Sequence, residues 1–455
     1  MSRKISLLLM FLIGGLMGLN AQNIQYEEYD LDNGLHVILH QDNTTPIVTV
    51  SVLYHVGSKN EPPGRTGFAH FFEHLMFEGS PNIGRGEYFK IIQAAGGSLN
   101  ANTSNDRTFY FQTLPSNQFE LGLYMESERM LHAVIDSTGI ATQKEVVKEE
   151  KRLRVDNQPY GSILEQMLKN AYSGTNYEWT PIGSFEDIDA ATDQDFVDFY
   201  ETFYVPNNAT LSIAGDIDLD QAKEMVQAYF GEIKRGTKDI PRPVIVAPEL
   251  GEGGIEADVF DNIQVPAVIQ GYRMPPQGTE DYYALQYLTQ LLSGGQSSRF
   301  NKVLVDEKRM ALAVQAIPLG LESGGLFINF ALPNQGYETA DLAAEIDALI
   351  AEVQNEPIPE REFQKLKNQI ENNFISGYGS VQGIAESLAN YHVYFGDAEL
   401  INTEIERYQK VTAEDVMRVA QKYLVPENRV SLTYRPMAEK EQPADAKLNK
   451  EGGNE

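Results

Sequence analysis

The chain has no cysteine in 455 residues, which excludes a disulfide framework and a lipid-anchored amino terminus. Basic residues are also scarce. Against 65 Asp and Glu stand 36 Lys and Arg, a formal charge of −29. Nucleic-acid binding wants a basic surface, so that class of function is excluded, while acidity alone says little about substrate. Long apolar runs are missing too, with one exception. Arg3 and Lys4 precede an apolar stretch from Ile5 to Leu19, and Ala21 follows as a small residue. The stretch is shorter than the roughly 20 apolar residues of a membrane span. It reads as a signal peptide, residues 1–21, cut after Ala21. No later segment is apolar enough to span a bilayer, so a periplasmic or secreted protein is expected.

What is present describes a globular protein: 42% hydrophobic residues, with 10% aromatic. The length suits two domains, and an internal repeat supports that division. "DFVDFYETFYVPNN" from Asp195 and "DVMRVAQKYLVPEN" from Asp415 share a constant offset of 220 residues. Thr192 matches Thr412, Val205-Pro206 matches Val425-Pro426, and Asn208 matches Asn428. Each copy reads as a capped helix, a stop and a strand, and a period of that length is a duplicated domain. The expected organisation is an N-terminal domain over 22–235, a Pro/Gly-rich linker over 236–254, a C-terminal homologous domain over 255–436 and a disordered tail over 437–455. Strand-like runs such as "LHVILH" alternate with helices, so each half is expected to be α+β, a mainly antiparallel sheet with helices packed on one face. His36 and His40 alternate along one such strand and read as an exposed face.

Histidine is rare, seven in all, yet two of the seven share five residues in "GFAHFFEHLMFEGS" (Gly67 to Ser80). Apolar residues surround this helix almost completely, so its polar groups need partners. His70 and His74, one turn apart, match the bite of one tetrahedral zinc ion, and Glu73 shares their face as a candidate general base. A catalytic zinc takes a third protein ligand. "TQKEVVKEEKRLR" (Thr142 to Arg154) offers one: on a helical wheel Val146, Val147 and Leu153 define an apolar face, and Glu150 falls about 40° from Val146, in its middle. Glu149 falls at the edge and reads as a solvated charge. An inward carboxylate without a partner would be protonated or destabilising. A metal resolves the problem.

"HFFEH" resembles the inverted zinc motif of the pitrilysin/insulinase family of metallopeptidases, the inverzincins. The glutamate in the "VVKEE" stretch is similar to that family's third ligand, and the duplicated halves resemble its two-domain members, such as the mitochondrial processing peptidase subunits. The resemblance implies one zinc per chain held by His70, His74 and Glu150, with Glu73 as the catalytic base of an endopeptidase acting on extended or unfolded peptides. It also implies that "GGSLNANTSNDRTFYFQT" is a substrate-binding edge, with Asn100 and Ala101 in the matching positions. Two departures stand out. Gln143 occupies the place of a frequent second glutamate; it shares the inward face of Glu150 and is expected to hydrogen-bond the metal shell from behind the ligands. The second half lacks the family's R-x6-Y pair, with Phe327 about where the arginine would be, and "YALQYLTQLLSGG" carries no metal-ligating residue. Those absences imply a dimer in clam-shell arrangement, the partner being a metal-free homologous subunit that supplies the Arg/Tyr pair. The alternative is a silent assembly subunit, or a peptide-binding and zinc-binding protein, of the same fold.

Overall fold

The computed structural model describes residues 23–440. The expected signal peptide and residues 441–455 of the tail lie outside the described residues. Eleven strands form two sheets among these residues. In the first, β1 (Glu27–Asp30), β2 (His36–Gln41), β3 (Ile47–Tyr54), β4 (Ser98–Thr103), β5 (Thr108–Pro115) and β6 (Ala209–Gly215) lie in the order β1-β2-β6-β3-β5-β4. In the second, β7 (Ile255–Asp261), β8 (Ala267–Arg273), β9 (Ala311–Leu321), β10 (Gly324–Pro333) and β11 (Arg429–Pro436) run β7-β11-β8-β10-β9. Apart from β1 the two orders are the same. Each sheet has one parallel pair, β2 with β6 and β7 with β11, and is otherwise antiparallel.

The repeat seen in the sequence is thus a repeat of topology, and its local chemistry is shared. Thr192 and Thr412 each cap a helix through a reciprocal box with Asp195 and Asp415, which satisfies backbone donors that the helix start leaves open. Each helix ends before a short turn begun by Pro206 or Pro426, and the following strand enters its sheet beside a parallel neighbour.

Each half packs helices of its own on one face of its sheet. Val48, Val50, Val52, Leu211 and Ile213 of the first sheet meet residues of helices Phe68–Leu75, Phe119–His132 and Leu219–Phe230. The opposite face is covered as well, by an exchange that the sequence pattern does not display. Val381, Ile384, Ala385 and Leu388 of helix Val381–Phe395, from the second half, pack on Ile38 and Ala214. Reciprocally, Met167, Leu168 and Ala171 of helix Ile163–Ala171, from the first half, pack on Ile269, Leu326, Ile328 and Leu432 of the second sheet. At Gly271 an added Cβ would lie 2.5 Å from the Met167 sulfur, so Met167 would have to shift to admit one. With both faces covered, β3 is buried along all but its first residue and β6 along its whole length.

Two sequence expectations are corrected here. His36 and His40 do not form an exposed strand face: the His40 side chain is buried against the Gln25 carbonyl, and His36 stacks on His392 of the exchanged helix. The tail does not lose structure at Met437. It continues as a helical turn, Met437–Lys440, held by Glu439 beside Arg435 and Lys440 over Phe260.

A polar clasp joins the halves at the β9–β10 turn. The Glu322 carboxylate meets His55 Nε2 at 2.8 Å and the Lys59 ammonium, and its backbone N–H donates to Asp106 at 2.9 Å. Lys59 also pairs with Asp106 at 3.0 Å, and Tyr177 donates to the same carboxylate. Burial pushes the Glu322 carboxyl up, but the His55 and Lys59 contacts outweigh it and hold it at about 2, against an ordinary 4.5. A depressed carboxyl contributes stability that is complete above its unfolded pKa and is lost as pH falls through the folded one. Glu322→Gln should therefore cost about 2–3 kcal/mol at neutral pH. In urea titrations the gap from wild type should close as pH drops from about 4.5 towards 2. A gap that stays constant over that range would count against the clasp.

Candidate metal centre

The motif helix, Phe68–Leu75, starts at Gly67, which has φ of 93° in the left-handed region that favours glycine. No side chain of its own caps it. Instead the fully buried Glu61 accepts from the Gly67 and Ala69 N–H groups at 2.9 and 2.8 Å, and from the Trp179 indole at 2.9 Å. A carboxyl that accepts from the first free N–H groups satisfies the open start of the helix and fixes where it begins. Phe68, Phe71, Phe72 and Leu75 then anchor it in the core, with Phe68 stacked on Phe196 at 4.6 Å. The remaining side is polar and only partly enclosed: the His70 and His74 side chains are 12% and 23% exposed.

Helix Ser137–Lys151 packs across this side and brings Glu150 to the two imidazoles. Glu150 Oε2 lies 3.1 Å from His74 Nε2 and 3.6 Å from His70 Nε2. Contact with His74 holds the Glu150 carboxyl below the usual range despite its burial. Burial, and then the neighbouring His74, lowers the His70 imidazole below its usual range. Both shifts favour the deprotonated forms that ligate metals. One ligand atom from each of the three residues lies within 4.8 Å of the other two. Around tetrahedral zinc, bonds of about 2.0–2.1 Å place ligand atoms roughly 3.4 Å apart. The observed separations bracket that value. Two imidazoles and one carboxylate also form a donor set suited to catalytic zinc with an open position. The residues present fit the ion.

Glu150 points inward, as expected, but the face that carries it is not the expected one. Val147 is buried, whereas Val146 and Leu153 are exposed. The α-helix ends at Lys151 and continues as a wider π-helical turn, Arg152–Asp156, so a wheel drawn through residue 153 misplaces Leu153. Ile140, Gln143, Val147 and Glu150 share the inner side. Glu149 lies outside and pairs with Arg152.

Glu73 stands beside the cluster, its Oε2 accepting from the Thr103 hydroxyl at 2.6 Å. Burial raises its pKa, with the Thr103 hydrogen bond opposing. Thr103 is the last residue of β4, the strand that ends the sheet order, so this one contact ties Glu73 to the open sheet edge carrying Asn100 and Ala101. Asn100 is exposed and Ala101 buried, paired across β5 with Phe111 and Tyr110. Sequence reasoning passed over Thr103, since nothing local distinguishes it from any other strand threonine.

Gln143 occupies a different place from the one expected. Its amide donates to Glu78 at 2.5 Å rather than to His70, His74 or Glu150, while its Oε1 is buried without a hydrogen-bond partner among the described residues. Glu78 pairs with Arg85, which also holds Asp136, the residue capping helix Ser137–Lys151. This chain of contacts, also missed in the sequence, ties the helices bearing His70, His74 and Glu150 together. In the second half Phe327 is fully buried in an apolar core with Tyr287, Leu288 and Leu291.

Comparison with known proteins agrees with this architecture. Residues 36–183 match the family described as "Insulinase (Peptidase family M16)", and residues 190–370 match "Peptidase M16 inactive domain". The chain is 31% identical over 435 residues to the zinc protease PqqE of Helicobacter pylori, covering 95% of this chain and 98% of that protein. A crystal structure of a protease from the same organism superposes with a TM-score of 0.86 at 31% identity, over 91% of this chain and all of the other. The periplasmic protease PqqL of Escherichia coli shares the fold at 19% identity and a TM-score of 0.73, over 94% of this chain but 50% of PqqL. By this similarity the chain belongs to the insulinase family of peptidases, M16.

Proposed function

We propose that this chain is an exported, zinc-dependent endopeptidase that cleaves extended or unfolded peptides in the periplasm or outside the cell. One observation carries the reading: Glu73 lies between a two-histidine, one-carboxylate cluster and an open strand edge, joined to that edge through Thr103. Relatives named zinc proteases support the activity and the metal.

His70, His74 and Glu150 would hold the zinc, which when bound supplies Lewis acidity to water and to the scissile carbonyl. Substrate adds to β4 as a further strand, Asn100 and Ala101 bonding its backbone and setting its register. Glu73 takes a proton from the attacking water on its carboxylate and delivers it to the leaving amine nitrogen. The Thr103 hydrogen bond keeps Glu73 oriented and favours its ionised form. Gln143 acts indirectly, holding Glu78 and so the spacing of the ligand helices.

Where the resemblance would put a carbonyl-clamping arginine in the second half, Phe327 stands instead, buried in the core. A metal-free homologous partner that closes over the site as a clam-shell would supply the Arg/Tyr pair. PqqL, which accommodates this chain in half its length, supports a working unit built from two such chains.

Glu73→Gln should lower kcat on quenched fluorescent peptides by about 10²–10⁴-fold with unchanged zinc content. Full activity in that variant would remove Glu73 from the chemistry, and a silent or merely zinc-binding protein would show no cleavage in either form. Thr103→Val should move the acid limb of kcat/KM to higher pH, because a hydrogen bond to the ionised carboxylate is lost and the base stays protonated to a higher pH. An unmoved limb would reduce Thr103 to a packing residue.

A further inference from the structure

A second set of ligand-type side chains lies on the far side of the first sheet, where the two halves meet. Asp30 and His36 face each other across β1 and β2, and Glu28 lies two residues before Asp30 on the same face. Helix Val381–Phe395 of the second half lays His392 over them. The two imidazoles stack at 3.5 Å, with 5° between their planes. His36 Nδ1 is 2.8 Å from Asp30 Oδ1, and its Nε2 is 3.3 Å from Glu28 Oε2.

A neutral imidazole has one N–H donor and one lone pair. Whichever His36 nitrogen carries the proton, the other directs a lone pair at a carboxylate. Both contacts become favourable together only if a cation stands at one of them, either a second proton or a metal ion. With Nδ1–H donating a hydrogen bond to Asp30, Nε2 is oriented in the carboxylate–histidine–metal manner, in which a carboxylate fixes the tautomer and raises ligand basicity. Glu28, His36 and His392 each place a ligand atom within 4.8 Å of the other two. Glu28 is 41% exposed, so an ion can reach the cluster from solvent.

We propose that Glu28, His36 and His392 form a second site for a divalent transition metal of the zinc type, with Asp30 orienting His36. Two imidazoles with a carboxylate favour zinc, nickel or copper over the harder magnesium or calcium. Parallel rings direct their lone pairs along parallel lines, so binding opens the stack by rotation about the two Cβ–Cγ bonds, whose torsional wells are broad. The ion would bolt the edge of the first sheet to the helix donated by the second half. It is structural, distant in sequence from the first cluster, and independent of the catalytic reading.

Zinc content after equilibrium dialysis of the mature chain against ZnCl2 at pH 7.5 tests this. Wild type should hold one more zinc than His392→Gln or His36→Gln, and the melting temperature should rise with zinc only where His36 and His392 are intact. Glu28→Gln, a change at the protein surface, should weaken the second site at least tenfold, and Asp30→Asn about tenfold. In a His70→Asn background the second ion should persist, and His392→Gln should then remove it. Failure of the catalytic assignment would appear as His70→Asn leaving the zinc content unchanged, a separate result. Equal zinc content in wild type, His392→Gln and Glu28→Gln overturns the proposal. So does zinc-free His36 carrying both ring protons at pH 7.5 by NMR with no response to ZnCl2.

Discussion

The structure turns on how His70 and His74 can sit on a helix otherwise filled with phenylalanine. Phe68, Phe71 and Phe72 pack against Phe196 and Phe199, so this is among the most aromatic parts of the chain. Imidazoles beside such packing are tolerated only where something meets their nitrogens. Glu150 meets the Nε2 atom of each from a separate helix, which must itself be held at the right height. Glu78, one turn beyond His74, holds it by contacts to Gln143 within the Glu150 helix and, through Arg85, to Asp136 at that helix's cap. The geometry of the His70, His74 and Glu150 cluster is therefore a property of two helices and their mutual tether rather than of the motif alone.

This explains how much of the site was legible in the sequence. His70, Glu73 and His74 were readable because a helix fixes their relations within five residues. Glu150 was readable because Val147, one turn earlier, marks the inner side. The exposed Val146 and Leu153 nonetheless show that the wheel centred on the wrong stripe. Thr103 and Glu78 were not readable, since their meaning comes from contacts across the fold and neither carries a local signature. Gln143 was placed on the correct face and given the wrong partner. A wheel states direction but not which side chain waits there.

The fold was legible for a similar reason, and to a similar limit. The capping boxes at Thr192 and Thr412 and the Val-Pro stops are local signals, and their common offset revealed the duplication. Helices Ile163–Ala171 and Val381–Phe395 have apolar sides that say only that each must be buried. Nothing in their periodicity states that each belongs on the other half's sheet. His36 was misread on the same account: its surroundings are set by His392, more than three hundred residues later.

Exchange of these two helices changes what each half can do. A sheet covered on both faces cannot shift its strands without disturbing a helix from the other half, so the halves are coupled through their cores and not only at the Glu322 clasp. β4 escapes this constraint on one side, being the last strand of its sheet. It combines a fixed register on β5 with an outer edge that no strand among the described residues pairs. On the proposed function, a strand with those two properties would align an extended peptide against Glu73 without itself rearranging. Helix Glu280–Ser293 of the second half follows β8 as the motif helix follows β3, and fills that place with Tyr287, Leu288, Leu291 and Leu292. The duplicated scaffold thus carries the His70, His74 and Glu150 cluster in one half and an apolar helix at the same topological place in the other.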